Sequence, residues 1–338
     1  MGLQIGDIVP RKDVKFEELR GKTIAVDAFN AIYQFLASIR QADGTPLMDS
    51  KKRVTSHLSG LFYRNMALIA EGIKLIYVFD GEYHVLKGRT HGIRQEAKDI
   101  AKEKYFEAKD EEDIEGMSKY SRGFIKLDDE KIKESRELLD AMGIAVVQAP
   151  GEGEMQCAHL VKEEEAYAVG SQDYDALVVG GNRLIQNLTL ARKRKTRAGE
   201  IYISPEIIGY EDVLNKLEID RDQFISLAIL VGTDFNPGGI KGIGPKKALA
   251  LVRQKKYPFD IFKEVEHQLD FNWQEVFEIF KKPNVKSMKI NFPKLNEGKI
   301  KDLLVNEHEF SIDRIENHLL KLKEEKKKSA QRTLFYSN

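Results

Sequence analysis

Residues 73–80 read Ile-Lys-Leu-Ile-Tyr-Val-Phe-Asp, a short and nearly continuous apolar run that ends in a carboxylate. A run of this length is typical of a strand buried on both faces of a parallel sheet. Residues 23–27 (Thr-Ile-Ala-Val-Asp) have the same form. Further strand candidates lie at residues 144–148, 167–169, 176–179 and 184–188. Helical patterns, notably at 129–142 and 153–165, lie between strand candidates, and this alternation predicts an α/β fold with a mostly parallel central sheet flanked by helices.

Acidic residues recur where these strands end. The carboxylates at or just after strand ends, together with one that follows an apolar helix, are Asp27, Asp80, Glu152, Glu154, Asp173, Asp175 and Asp234. Open α/β sheets bind ligands at this edge, and clustered carboxylates repel one another unless cations neutralise them. Hard divalent ions take oxygen ligands, and a pair of them can catalyse phosphoryl transfer. A single Asp after a strand is more often a helix cap or turn residue, but seven at one edge favour a metal site.

The overall composition is that of a folded protein without membrane spans. The chain has 338 residues, 42% hydrophobic and 32% charged, and its 54 basic and 54 acidic side chains balance. This size suits two ordinary domains or one large one. No apolar run approaches the roughly 20 residues of a membrane helix, and the first residues do not resemble a signal peptide. The single cysteine, Cys157, excludes an internal disulfide bond, so we expect a reduced, intracellular protein.

Basic residues concentrate in two segments despite the zero net charge. Residues 176–199 and 235–259 each contain six basic residues and no acidic one, which indicates a face that binds a polyanion or, equally, a solvated surface. The second segment lies where the chain, after residue 205, reads as wholly helical. It includes the turn Gly-Ile-Lys-Gly-Ile-Gly-Pro-Lys-Lys at 239–247, which resembles a helix-hairpin-helix DNA-binding motif. Its candidate DNA-binding residues are Gly239, Gly242, Gly244, Lys246 and Lys247.

The segment from residue 88 to about 114 is helical in pattern but carries many charges and only a thin apolar stripe. Such a segment has little surface to bury, so we expect it to project from the body of the protein.

Five stretches together resemble the flap endonuclease family, the structure-specific 5′-nucleases of replication and repair. They are residues 26–33 (VDAFNAIY), 78–81 (VFDG), 149–154 (APGEGE), 170–175 (GSQDYD) and 231–248 (VGTDFNPGGIKGIGPKKA). The chain looks archaeal in type because it lacks a basic extension. The resemblance implies a PIN-like 5′-nuclease fold with a helical arch and a helix-hairpin-helix region. It also implies two-metal hydrolysis of DNA at the base of 5′ flaps, with 5′→3′ exonuclease activity, in Okazaki fragment maturation and base-excision repair.

The resemblance assigns roles to individual residues. The seven carboxylates correspond to ligands of two Mg²⁺, some through water, with Mn²⁺ as a substitute. Lys87 and Arg94 correspond to a basic pair at the scissile phosphate, Tyr33 to a base-stacking aromatic, and Gly2 to a processed N-terminus near the site. The turn at 238–247 corresponds to a duplex-binding hairpin that holds K⁺ through backbone carbonyls.

The resemblance also divides the chain. The expected parts are 1–87 and 126–235 (nuclease core), 88–125 (arch), 236–325 (helix-hairpin-helix and C-terminal helices) and 326–338 (a flexible tail). The tail resembles a sliding-clamp-binding box through Gln331, Leu334, Phe335 and Tyr336, although its aromatics follow the leucine directly. Expected partners are branched DNA (5′ flap, nicked or gapped duplex) and the clamp (PCNA), and a monomer is expected. The expected location is the cytoplasm and nucleoid of an archaeal cell, or the nucleus of a eukaryotic one.

Two other functions fit part of this pattern. A related 5′→3′ exonuclease would share the metal site and the hairpin, and an inactive DNA-binding scaffold at the clamp would share only the binding features. Acidic residues at all seven positions argue against the scaffold.

Overall fold

The computed structural model describes residues 3–336, apart from residues 42, 83, 112, 191–192 and 197–198. In chain order the strands are β1 (Lys12–Asp13), β2 (Thr23–Asp27), β3 (Lys74–Phe79), β4 (Ala145–Gln148), β5 (Ala168–Gly170), β6 (Arg183–Gln186), β7 (Lys193–Thr196), β8 (Gly199–Tyr202) and β9 (Glu206–Gly209). The α-helices are α1 (Ala28–Ser38), α2 (Ser56–Ala70), α3 (Gly88–Asp110), α4 (Ile114–Tyr120), α5 (Asp129–Ala141), α6 (Gly153–Lys162), α7 (Asp175–Val178), α8 (Tyr210–Leu217), α9 (Arg221–Val231), α10 (Pro245–Lys255), α11 (Pro258–Glu264), α12 (Trp273–Lys281), α13 (Glu297–Lys301) and α14 (Ile312–Tyr336).

Seven strands form one sheet in the order β1-β9-β6-β5-β2-β3-β4. The five strands from β6 to β4 are mutually parallel, and β9 and β1 extend the sheet in antiparallel fashion. Strands β7 and β8 form a separate antiparallel hairpin. The prediction of a mostly parallel sheet is therefore confirmed.

Helices cover both faces of this sheet, and β3 shows how the sequence produces this arrangement. Leu75, Tyr77 and Phe79 face a core built with α1, α2, α5 and α14, while Ile76 and Val78 face a core built with α6 and α9. Alternate side chains of a strand point to opposite faces, so a strand covered on both sides is apolar throughout. All five side chains are at most 2% exposed.

Two sequence predictions about secondary structure are wrong. Residues 176–179 were expected to form a strand, but residues 175–178 form the short helix α7. All four residues from 176 to 179 are buried, and a short apolar run that is buried all round does not reveal its period. The chain after residue 205 is not wholly helical either, because β9 pairs with β6 over the register Arg183↔Gly209 to Gln186↔Glu206. A four-residue strand at the antiparallel side of the sheet depends on this long-range pairing more than on local pattern.

The charged segment after residue 87 forms two helices, α3 and α4, that pack on each other. Ile93, Ile100 and Phe106 on α3 are about half exposed, at 50%, 47% and 49%. After α4 the chain returns to the body, where the Ser121 hydroxyl donates to the Gly44 carbonyl at 2.8 Å. Beyond its first turns, helix α3 is therefore supported mainly by α4.

The last helix, α14, runs through most of the segment expected to be a tail, and the side chains after residue 325 lie outside the described part of the structure. Among the described residues, no helix has both the length and the apolar character needed to cross a membrane.

Candidate active site at the ends of the parallel strands

The seven carboxylates are placed by elements that end at one edge of the sheet. Asp27 is the last residue of β2, and Asp80 directly follows β3. Glu152 is the N-cap of α6, and Glu154 lies in its first turn. The remaining residues are Asp173 and Asp175, in the loop after β5 and at the start of α7, and Asp234, three residues after α9.

Some of these side chains also form local hydrogen bonds. Asp27 caps α1 by accepting from the Asn30 backbone N–H at 3.1 Å, as the helix-cap alternative predicted. Asp80 Oδ1 accepts from the Gly153 N–H at 2.7 Å, and Glu154 Oε1 accepts from the Ala176 N–H at 3.2 Å. Each of these contacts uses one oxygen of the carboxylate. The cap interpretation is therefore correct for Asp27 but does not exclude metal binding by the other oxygen.

The electrostatics show that the cluster is unfavourable without added positive charge. Burial, followed by repulsion from Asp80, raises the pKa of Asp27 to about 8. Burial, followed by repulsion from Glu152, raises the pKa of Asp80 to about 6. Burial and neighbouring carboxylates also raise the pKa values of Glu154, Asp173 and Asp175 above their ordinary values. The mutual repulsion links all seven carboxylates into one group.

The residues fit divalent cations. Asp175 Oδ1 is buried and has no hydrogen-bond partner, which is costly for a carboxylate unless a cation approaches. All the atoms that the cluster offers to a metal are oxygens, the ligand type of Mg²⁺ and Mn²⁺. Among the described residues, no three His, Cys, Asp or Glu side chains already converge on one point for a metal. Instead, two basic side chains contact the cluster.

These two side chains are Lys87 and Arg94. The Lys87 ammonium pairs with Glu152 and lies 3.8 Å from Asp234 Oδ2. Burial lowers the pKa of Lys87, but Glu152 and its neighbours raise it further, so the ammonium stays charged. Arg94 Nη2 donates to both oxygens of Asp234, at 2.7 and 2.8 Å. The predicted basic pair therefore lies against the carboxylate cluster, and between its members the Thr90 hydroxyl donates to the Asp234 carbonyl at 2.5 Å.

The sequence analysis did not identify Thr90. It also did not identify Arg11, which contacts the loop that carries Asp173 and Asp175. The Arg11 guanidinium donates to the Tyr174 hydroxyl at 3.0 Å and to the Gly6 carbonyl at 2.8 Å. This contact ties the N-terminal segment to the residue between Asp173 and Asp175. The spacing of Thr90, three residues after Lys87 and four before Arg94, was a usable signal because such residues share a helix face.

The other predicted residues have separate positions. Tyr33 lies on α1 with 38% of its surface exposed, and the Lys98 ammonium is 5.9 Å from the centre of its ring. Gly239 adopts φ +56°, and a Cβ there would lie 2.4 Å from the Val231 carbonyl, so only glycine fits this close approach. Lys247 Nζ donates to the Gly242 carbonyl at 3.0 Å, inside the turn before α10.

Gly242, Gly244 and Lys246 complete this turn and the first turn of α10, and a Cβ added at either glycine would meet nothing within 4 Å. Gly2 lies outside the described residues. The side chains of Gln331, Leu334, Phe335 and Tyr336 do so as well.

Comparisons with known proteins identify relatives of this chain. Residues 4–101 match the XPG N-terminal domain, and residues 143–234 match the XPG I-region. Flap endonuclease 1 of Pyrococcus furiosus is 48% identical over 337 residues, which cover 99% of this chain and 98% of that protein. This chain belongs to the flap endonuclease family. Flap endonuclease 1 of Thermococcus onnurineus is 45% identical, with 99% and 98% covered.

Solved structures confirm the fold of this flap endonuclease family member. The structure of flap endonuclease-1 from Methanococcus jannaschii matches with a TM-score of 0.75 at 39% identity, covering 96% of this chain and 98% of that one. The catalytic core of Rad2 in complex with a DNA substrate has the same fold, with a TM-score of 0.69 at 24% identity and coverage of 94% and 97%. The predicted PIN-like nuclease fold and the predicted family are both confirmed.

Proposed function

We propose that this flap endonuclease hydrolyses one DNA phosphodiester at the base of a 5′ flap, and also removes nucleotides from 5′ ends, in replication and base-excision repair. The observation that carries the proposal is the carboxylate cluster, five members of which are buried with raised pKa values. Two cations, Lys87 directly before α3 and Arg94 on α3, pair with Asp234 of this cluster. A buried acidic cluster of this kind is stable in its charged form only with added cations.

The metal ligands in this proposal are the seven carboxylates, which hold two Mg²⁺ or, in their place, Mn²⁺. Such a pair stabilises negative charge that develops on phosphate oxygens and activates water for attack. The protein supplies the oxygen donors, and the packed strands β2 and β3 fix Asp27 and Asp80 through their backbones. The orphaned Asp175 oxygen supports metal binding.

Lys87 and Arg94 bind the scissile phosphate in this proposal. Both are cations held within contact distance of the cluster, and an arginine pairs well with phosphate oxygens. Their contacts with Asp234 mark where the phosphate arrives, because it replaces a carboxylate as the partner. Tyr33, half-exposed beside the site, stacks on the base next to the cut.

The turn at 238–247, which includes Lys246 and Lys247, binds the phosphate backbone of the duplex, with a K⁺ held by carbonyls of the turn. A glycine-rich turn before a helix brings backbone groups close to phosphate. Segment 88–125 serves as the arch for the flap, and the parts 1–87 and 126–235 form the nuclease core. The helical part 236–325 contains the duplex-binding turn, and the tail 326–338 binds the sliding clamp. The protein acts as a monomer in the compartment that holds the DNA.

The test is cleavage of a double-flap DNA labelled on its 5′ strand, with Mg²⁺, Mn²⁺ or a chelator. We expect one cut at the flap junction, supported by either metal and abolished by the chelator. Asp80→Asn should remove cleavage, whereas Asp313→Asn, an exposed aspartate on α14, should not. Release of mononucleotides without a junction cut would favour the exonuclease alternative. Tight binding without any cleavage would favour the scaffold.

A further inference from the structure

Thr90 makes a long-range contact that is unusual for a helical threonine. A threonine hydroxyl inside a helix commonly bonds to a carbonyl of the preceding turn. The Thr90 hydroxyl donates instead to the carbonyl of Asp234, 144 residues further along the chain, at 2.5 Å. Its side chain is buried, with 3% exposure, although most of the following two turns of α3 is exposed. The first turn of α3 is therefore fixed to the body at this point.

Lys87, Thr90 and Arg94 all contact the same residue. Thr90 and Arg94 lie four residues apart on one face of α3, and Lys87 is the residue directly before this helix. The two cations contact the Asp234 carboxylate, whereas Thr90 binds its backbone carbonyl. When phosphate or metal takes over the carboxylate oxygens, the Thr90 contact does not compete for them. It is the one of these three contacts that can persist through the reaction.

The partner of Thr90 lies in a rigid turn. The Thr233 hydroxyl donates to Asn236 Oδ1 at 2.7 Å, and Asn236 Nδ2 donates to the Ile229 carbonyl at 2.7 Å. The Phe235 N–H donates to the Thr233 hydroxyl at 3.2 Å. These bonds fix the backbone around Asp234, so a group bound to its carbonyl takes a defined position. The long side chains of Lys87 and Arg94 have many rotamers and cannot define that position themselves.

We propose that Thr90 is a positioning residue. It holds the start of α3 over the carboxylates and so keeps Lys87 and Arg94 within reach of the scissile phosphate. The inference rests on the proposed role of these two cations.

The experiment compares Thr90→Val, which keeps the shape and removes the hydroxyl, with Thr90→Ser, which keeps the hydroxyl. Single-turnover cleavage of double-flap DNA should slow about tenfold in Thr90→Val, the loss expected from one hydrogen bond, and less than twofold in Thr90→Ser. DNA affinity in Ca²⁺ should not change, and the melting temperature should fall no further than in a control variant that also loses one buried hydrogen bond. Thr189→Val is the matched control, because that buried hydroxyl donates to Gln34 Oε1 at 2.6 Å, outside the proposed phosphate contact.

The decisive readout is a double-mutant cycle. In a Lys87→Ala, Arg94→Ala background, Thr90→Val should cause no further loss, because there is then nothing left to position. A wild-type rate for Thr90→Val, or the same tenfold loss in that background, would overturn the inference. If Lys87→Ala and Arg94→Ala themselves cut at the wild-type rate, the proposed phosphate contact fails, which is a separate result.

Discussion

Gly153 separates the two glutamates at the start of α6, and its replacement by alanine should damage the site without unfolding the protein. A Cβ at this position would lie 2.7 Å from Asp80 Oδ1 and 3.0 Å from the Val78 carbonyl, whereas ordinary contacts begin at 3.4 Å. The carboxylate of Asp80 must therefore shift by about 0.7 Å, the difference between 2.7 and 3.4 Å. Misplacement by about 1 Å can cost roughly a hundredfold in rate, so we expect Gly153→Ala to cleave roughly ten- to a hundredfold more slowly.

The effect on stability should be small by comparison. Overpacking costs roughly 1–3 kcal/mol, and alanine in a helix recovers up to about 1 kcal/mol relative to glycine. The assay is single-turnover cleavage across a Mg²⁺ titration, with the melting temperature measured in parallel. Gly298→Ala in α13 is the control, because its added Cβ meets only Asn296 Oδ1 at 3.4 Å. Wild-type rate and Mg²⁺ dependence in Gly153→Ala would refute the argument.

Three further predictions concern charge. Asp175→Asn should slow cleavage by at least roughly a hundredfold, because a metal ligand is lost. In chelator it should raise the melting temperature, because it removes a buried carboxylate that its neighbours repel. An unchanged or lower melting temperature would contradict this expectation. The double variant Lys246→Ala, Lys247→Ala should weaken duplex binding for every DNA sequence. The slope of log affinity against log salt concentration, measured by filter binding, should fall by up to about two. An unchanged slope would place the duplex contact elsewhere. Burial raises the pKa of Glu134, but the hydrogen bonds and positive charges of His308 and His57 together outweigh it and lower that pKa to about 2. The stabilisation from Glu134 is therefore complete above the unfolded pKa near 4.5 and is lost as the pH falls toward 2. Urea unfolding of Glu134→Gln should therefore show a deficit near pH 5 that closes below pH 2, and a deficit independent of pH would disprove the linkage.

The sequence predicted the central parallel strands better than α7 and the antiparallel strand β9. The run at 73–79 and the strand β3 agree within one residue, because a strand covered on both faces must be apolar throughout. The run at 176–179 gave the wrong element, since four buried residues in a row fit a strand or a helix equally. Strand β9 was missed because its pairing with β6 is a long-range contact.

In the candidate site, too, the features that depend on the strands were predictable and those that depend on long-range contacts were not. Parallel strands bring their carboxyl ends to one edge, so strand positions alone were enough to bring Asp27, Asp80 and Asp173 together. The spacing of Thr90 from Lys87 and Arg94 was a signal in the sequence, but its partner could not be predicted, because that partner is a backbone carbonyl 144 residues away. The roles of all the candidate site residues stay predictions, and Gly2 and the side chains of the tail lie outside the described residues.

The carboxylate cluster has a consequence for how the protein is made. Its members begin at Asp27 and end at Asp234, and each lies on a different element or loop apart from the two pairs around Gly153 and Tyr174. During synthesis the N-terminal strands leave the ribosome long before α9 and the loop that follows it. A chain that ends before residue 234 therefore lacks the last carboxylate and the carbonyl that Thr90 binds, and under the proposed function it does not cut nucleic acid. In the proposed function, the order of the chain therefore delays cleavage until more than two thirds of the protein has been made.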